Sequence, residues 1–525
     1  MSRGADAESP LQRRRWASPV LIPLLILVGT GLFALDFGPH WDEDNAWLKP
    51  LQRSFEIGAP LPGKYNYPTF GYWLTLLAAV PEVIWAKVQG VDVSEHVIAT
   101  IYEQPFRLRM RAIFLLVSSL GVVWLYRLVL TWRGSRIEAL LAASLLALSW
   151  EVSYHTRWVA PDGLLMQFGA LTLLACVAAV HGSGGRRWLW LAAVAAGLGC
   201  GSKYPGGLLL APTLVAYGMV VLPDLREKRW APAVGLLAGL LLAFAAAFVV
   251  ATPGSVFEYE EFRRDIEYER MHYGEGGHGV YTLEAGWPHL ERMLGYLGGQ
   301  LLSPFDLASW ALTGLALLGL YAIARERLML LVLVACFPVL YVAYMSTMIV
   351  GMMRNVLVIS PFLALFAARG IAYLVEVARP RVLRGAVIGA TVAIHAGHAM
   401  YNAQAAERTR HRSLDRSLTE LAAHIEDETD AVFALSPKVL EGLGRMNLLA
   451  DIGDTTTEGD PRATHLAIIG IECGRAYDTW VVGPIDLITF GPREINFLYY
   501  PTAWSYDQRI LVMPMETARL VGLAK

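Results

Sequence analysis

The chain has 525 residues, 55% of them hydrophobic and 17% charged, with a net charge of −2 and a mean hydropathy of +0.42. A soluble domain typically carries about 25% charged residues. Here the deficit is concentrated in apolar runs such as Val20–Leu35, Ala139–Ser149, Val234–Val250 and Leu328–Tyr344. Runs of that length exclude a soluble globule and point to helices in a bilayer, and no basic tract is long enough for a nucleic-acid partner.

Orientation follows the lysines and arginines, which favour the cytoplasmic side. Arg3, Arg13, Arg14 and Arg15 precede the first apolar run, and no small-residue cleavage site follows it. The run at about 18–36 is therefore expected to be a retained signal anchor leading outward. Five later connections are basic: Arg127–Arg136, Arg186-Arg187, Asp224–Arg229, Arg325–Arg327 and Arg379–Arg384. Placing all of them inside predicts spans near 110–130, 137–152, 160–180, 187–201, 205–222, 231–250, 306–324, 328–348, 355–375 and 384–401, about eleven in total. Residues 67–88 are apolar enough to cross but have no crossing left to make. They are expected to lie at the outer interface, where Tyr65, Tyr67, Tyr72, Trp73 and Trp85 are at home.

The expected architecture is an all-α polytopic membrane domain over 1–402, with external loops 37–109 and 251–305. A small external α/β domain follows over 403–525. In that tail Leu414–Ile425 has helical periodicity, and Val432–Ala434, Ala467–Ile471, Trp480–Val482 and Ile510–Val512 read as short strands. The four cysteines make neither a disulfide framework nor a C-x-x-C site.

The outer-face residues carry the chemistry. Asp42, Glu43 and Asp44 stand in a row just after the first span. Such carboxylates either cap a short helix or act as a base, and a cap needs only one. Lys64 and Tyr67 follow in an aromatic segment where the lysine could meet a lipid phosphate. Arg157 and Asp162 frame a Pro161 helix start, so Asp162 could again be a cap and Arg157 a snorkelling or phosphate-binding fork. Lys203 sits in the glycine-rich joint Gly199–Gly207, and Arg354-Asn355 precede Ser360-Pro361. Cations are disfavoured on this side, which argues for an anionic partner. The loop 251–305 is rich in charge and holds His272, His278 and His289, whose spacing does not match a zinc site; an amphipathic interfacial helix is expected there. Carboxylates that can take a proton and cations that can stabilise a departing phosphate suit sugar transfer from a lipid phosphate.

Five segments in order are similar to the GT-C glycosyltransferases, in the branch of protein O-mannosyltransferases and lipid A aminoarabinose transferases. They are Asp42-Glu43, Tyr65-Asn-Tyr-Pro-Thr-Phe-Gly-Tyr-Trp73, Ser149–Asp162, Gly201-Ser-Lys-Tyr-Pro-Gly206 and Arg354–Pro361. The resemblance implies a polyprenyl-phosphate-sugar donor, inversion at the anomeric carbon, and an acceptor protein, lipid or glycan outside a bacterial inner membrane. It implies Asp42 as base, Glu43 as its paired acid, Lys203 and Arg354 on the donor phosphate, and Asp162 as a second acidic residue. Three departures stand out: Asp44 extends the acidic pair, Tyr67 replaces the lysine of the aminoarabinose transferases, and loop 251–305 is unusually charged. No cofactor is required by this chemistry, although a divalent ion could assist the phosphate. Two other readings fit some features. A transporter or lipid flippase would use the broken joint at 199–207, and an assembly scaffold would work through its tail.

Overall fold

The computed structural model describes residues 19–36, 43–182, 184–278, 281–410, 414–428, 430–449, 455–457, 460–469, 488–490 and 510–520. By internal contacts the chain divides into two compact units. One comprises 1–32, 42–276 and 283–402; the other comprises 33–41, 277–282 and 403–525.

The first unit is helical. Eight helices among the described residues are long and apolar enough to cross a membrane: Gln104–Arg133, Pro161–His181, Tyr204–Arg226, Trp230–Ala251, Asp306–Glu326, Leu328–Ser346, Met353–Val377 and Arg381–Glu407. The three other expected spans are also helices but shorter: Leu21–Phe33, Arg136–Ala147 and Arg186–Cys200, of 13, 12 and 15 residues. A full crossing takes about 20 residues. The expected span at 137–152 breaks because Ser149 caps a separate turn, Trp150–His155, by accepting a hydrogen bond from the Val152 N–H. Phe70–Gln89 is a 20-residue helix carrying Glu82 and Lys87 and is not among the eight.

Helix ends follow local chemistry. Gly134 adopts φ 67°, in the left-handed region, and closes the 104–133 helix by donating to Leu130 O. Ser135 then caps the next helix by accepting from the Glu138 N–H. The 161–181 helix is buried around its circumference, including Asp162, Leu164, Leu165 and Gln167. A helix apolar on all sides belongs at the centre of a bundle. Backbones approach very closely between the 306–326 and 360–377 helices. A Cβ on Gly370 would stand 1.8 Å from Leu315 O, and one on Gly319 would stand 1.9 Å from Phe366 O. Arg369, buried one residue from that crossing, holds Glu376 with both arms at 3.0 and 3.1 Å and reaches Glu326 at 3.2 Å.

The second unit contains a five-stranded sheet in the order β2-β1-β3-β5-β4, with β1 Phe433–Leu435, β2 Thr455–Thr457, β3 His465–Ile469, β4 Ile488–Phe490 and β5 Ile510–Pro514. β1 runs parallel to β2 and β3, and β5 runs antiparallel to β3 and β4. Leu418, Leu421 and Ile425 of the Leu414–Asp427 helix pack with Phe433, Leu435, Ala467, Ile510 and Val512. Three expected strands and the helix thus find counterparts, whereas 480–482 lies outside the described residues. β2 and β4 were not foreseen, since three-residue strands such as Thr-Thr-Thr show no alternation to read.

Candidate active site

Three distant segments of the first unit converge on one buried cluster. Asp162 lies in the first turn of the 161–181 helix, whose N-cap is Ala160 and receives no side-chain cap. The capping role open to Asp162 in the sequence is therefore not what its carboxylate does. Its Oδ1 accepts from Lys203 Nζ at 2.6 Å, and its Oδ2 faces Arg354 Nε at 3.7 Å. Lys203 Nζ also donates to Asn355 Oδ1 at 2.7 Å. Lys203, Arg354, Asp162 and Asn355 are only 6, 6, 3 and 3% exposed.

The local sequence explains how a lysine enters so far. The 186–200 helix stops, residues 201 and 202 turn, Lys203 is extended, and a 3-10 turn begins at Tyr204 with Pro205 behind it. A Cβ on Gly206 would stand 2.4 Å from Gly199 O, so only glycine lets the chain fold back this tightly. On the opposite side Met353–Ile359 is another 3-10 segment, fully buried, that delivers Arg354 and Asn355. The Arg354 guanidinium lies over the Trp158 ring at 5.6 Å.

An ammonium has three N–H donors and no acceptor. Two of those on Lys203 serve Asp162 and Asn355, which fixes its position and leaves the third for an anion. Asp162 Oδ2 makes no hydrogen bond among the described residues, and buried polar atoms usually find partners.

The acidic loop is built differently. Asp42 lies outside the described residues. Glu43 opens a π-helical turn, Glu43–Leu48, and is 0% exposed. Its Oε1 accepts from Arg111 Nε at 2.6 Å, and its Oε2 accepts from an Arg111 terminal nitrogen at 2.9 Å and from Arg107 at 3.2 Å. Arg107 also reaches Asp44 at 2.6 Å. The Glu43–Asp44 pair is thus anchored to the start of the 104–133 helix. Arg107 and Arg111 were missed in the sequence, though a signal was there. Arg107-Leu-Arg-Met-Arg111 places two arginines four residues apart, hence on one helix face, at the expected outer end of a span.

The other expected residues are spread around this core. Lys64 is exposed and donates to Asn45 O at 3.1 Å. Tyr67 stacks on Trp47, with centroids 6.0 Å apart and planes at 9°. Arg157 is buried over the Trp150 and Tyr154 rings, at 5.4 and 5.7 Å, and donates to Ser153 O. Beside it Glu151 accepts from the Tyr296 hydroxyl and lies 3.4 Å from His155 Nε2.

Loop 251–305 contains the helix Tyr259–Met271, and one face of it grips residues 63–66. Glu258 accepts from Arg53 at 2.9 Å, from the Gly63 N–H at 3.0 Å and from the Tyr65 hydroxyl. Asp265 accepts from the Tyr65 N–H at 2.7 Å, and Glu269 from Asn66 Nδ2 at 2.8 Å. Burial raises the Glu269 carboxyl above the ordinary carboxylate range, while Asn66, Lys203 and Lys64 pull it back. Burial likewise raises the Tyr273 phenol, next in line on the following turn, with Glu269 and Asp162 adding to the shift and Arg354 and Asn355 opposing it. The expected amphipathic helix exists, but its charges are aimed at the site rather than only at solvent. No group of three or more His, Cys, Asp or Glu side chains suited to a metal ion occurs among the described residues.

Residues 98–252 match the family described as dolichyl-phosphate-mannose-protein mannosyltransferase. This segment, under a third of the chain, carries Arg107, Arg111, Arg157, Asp162 and Lys203. The chain is also similar to the crystal structure of ArnT from Cupriavidus metallidurans in the apo state, with 12% identity, 98% of this chain and 99% of that chain covered, and a TM-score of 0.49. ArnT from the same organism bound to undecaprenyl phosphate aligns at 13% identity over 96% and 99%, with a TM-score of 0.48. The archaeal oligosaccharyltransferase AglB from Archaeoglobus fulgidus, in complex with an inhibitory peptide and a dolichol-phosphate, aligns at 11% identity over 89% and 70%, with a TM-score of 0.45. No curated protein matches by sequence.

Proposed function

We propose that this protein transfers a sugar from a polyprenyl-phosphate-linked donor to a hydroxyl of an acceptor protein, lipid or glycan at the outer face of the cytoplasmic membrane. One observation carries the reading: a buried lysine and a buried arginine from distant segments share one carboxylate, and the lysine also holds an amide, in a chain with eight candidate membrane helices among its described residues. Two buried cations are costly unless an anion meets them.

In this reading the donor phosphate occupies the remaining valence of Lys203 and the Arg354 guanidinium. The acceptor atom attacks the anomeric carbon from the face opposite the phosphate. A bond forms between that atom and the carbon, the bond from the carbon to the phosphate oxygen breaks, and configuration inverts. The electron pair leaves with the phosphate, whose growing charge Lys203 and Arg354 stabilise. The proton of the acceptor passes to Asp42, the residue preceding the anchored Glu43. Arg111 and Arg107 hold Glu43 so firmly that its contribution is to position the loop, not to exchange protons. A lipid-linked donor and a protein acceptor agree with the matched family's description, and the periplasmic side agrees with the arginine distribution.

The test is transfer from polyprenyl-phosphate sugars in liposomes. Asp42→Asn should abolish turnover while donor-lipid binding persists. Normal turnover by that variant removes Asp42 as the base.

A further inference from the structure

The lysine of the cluster is met by two acceptors of different charge, and the difference has a chemical consequence. An ammonium can only donate, so it is the amide oxygen of Asn355 that faces Lys203 Nζ, at 2.7 Å. Asp162 Oδ1 stands at 2.6 Å from the same nitrogen. Asn355 is buried, and its own backbone is held twice. Its N–H donates to Met352 O at 2.9 Å, and its carbonyl accepts from the Tyr341 hydroxyl at 2.7 Å. Tyr341 comes from a different helix, Leu328–Ser346, and is fully buried.

Two engaged N–H groups on a tetrahedral nitrogen leave one direction for the third. Asn355 therefore sets where Lys203 can offer its remaining hydrogen bond, and Tyr341 sets where Asn355 stands. The amide also differs from a carboxylate in the field it creates. An aspartate at this position would have the same shape and make the same contact. It would also neutralise the ammonium with a second protein anion and oppose any incoming one. A lysine whose task is to hold helices together is better served by that second carboxylate, because charge-assisted hydrogen bonds are the stronger ones. The amide suits a lysine that must keep its charge for a ligand.

We infer that Asn355 is a positioning residue for the donor: held by Tyr341, it aims the third N–H of Lys203 at the phosphate and, as a neutral acceptor, leaves the ammonium's charge for it. This rests on the reading that Lys203 and Arg354 hold a lipid phosphate. It adds a residue that lies outside the matched segment 98–252, and it ties donor affinity to the 328–346 helix through one hydroxyl.

The experiment uses the full chain in nanodiscs, with a short polyprenyl phosphate as probe and thermal unfolding measured beside it. Asn355→Asp and Asn355→Ala should rank in opposite orders in the two measurements. The aspartate variant keeps an acceptor for Lys203 and should unfold later than the alanine variant, yet bind the lipid phosphate more weakly. Its affinity should fall about 10- to 100-fold below the parent, the effect of a like charge about 6 Å from the phosphate at an effective dielectric constant of about 20 to 40. The alanine variant should lose about 2- to 12-fold, the range of a neutral hydrogen bond, and Tyr341→Phe should lose no more than that. In transfer assays the donor KM should rise while the acceptor KM holds, a split that loss of folded protein does not give. The inference is overturned if both variants at 355 fold and rank alike in stability and binding, or if the aspartate variant binds the lipid phosphate as well as the parent. Where the aspartate variant does not fold, Tyr341→Phe decides, since it leaves every charge in place: parent affinity overturns the inference, and a raised donor KM alone supports it. In each of those cases the phosphate reading stands as long as Lys203→Met loses the lipid. Failure of the parent to bind bare lipid phosphate overturns that reading itself.

Discussion

Lys203→Met separates what the cation does for the fold from what it does for the donor. The substitution deletes two charge-assisted hydrogen bonds, of 2.6 Å to Asp162 and 2.7 Å to Asn355. Asp162, 3% exposed, is then left with Arg354 Nε at 3.7 Å as its counter-charge. Removing one partner of a buried pair costs about 3–5 kcal/mol, mostly because the other charge is stranded. Pairing the change with Asp162→Asn removes the stranded charge, so the double variant should recover most of that stability. Donor binding should not recover. Loss of the ammonium's contact to a phosphate is worth about 1.5–3 kcal/mol, or roughly 10- to 150-fold in Kd. The acceptor's KM should move much less. Thermal unfolding in detergent and equilibrium binding of a polyprenyl phosphate read the two effects independently. A double variant that binds the lipid normally, or a single variant as stable as the parent, refutes the reasoning.

Other consequences are open to measurement. Arg111→Ala strands Glu43, 0% exposed, with Arg107 alone, and should lower stability by about 3–5 kcal/mol; Glu43→Gln in the same background should restore much of the unfolding temperature, and no restoration argues against the pair. Glu269, raised by burial, is a stability cost fully present above its folded pKa and gone below the unfolded value of about 4.3. Glu269→Gln should therefore unfold no earlier than the parent at neutral pH and lose any advantage in acid, and an earlier transition at neutral pH contradicts the shift. Gly370→Val cannot be fitted without moving Leu315 O away from 1.8 Å, and should cost about 1–3 kcal/mol or more as an overpacked contact; an unchanged melting curve would show that the helices part freely. Tyr65→Phe removes one of three donors from Glu258, and faster amide exchange over 259–271 with unchanged global unfolding is the expected signature.

The sequence carried the bundle because membrane helices announce themselves by length and apolarity, and each expected span has a helix. Its limits lie where partners are distant. Asp162, Lys203 and Arg354 were legible because charge is costly at a helix mouth, yet their common meeting point depends on two 3-10 segments with no periodic signature. Glu43 read as a candidate catalyst because its arginine partners sit 64 and 68 residues later. Glu258, Asp265 and Glu269 were seen only as surface charge on a helix. Composition does not reveal which face of a polar helix meets another loop.

That last face has a consequence for how this segment can vary. Glu258, Asp265 and Glu269 are spaced by seven and four residues, two turns and then one, so three carboxylates point the same way at residues 63–66. One inserted or deleted residue between them rotates everything beyond it by about 100°, swinging Glu269 off Asn66. The outward side of this helix is free to change its letters, but its length is fixed as strictly as the tooth count of a gear. The grip on residues 63–66 would therefore survive substitutions on the outward side but not lengthening or shortening of the helix between 258 and 269.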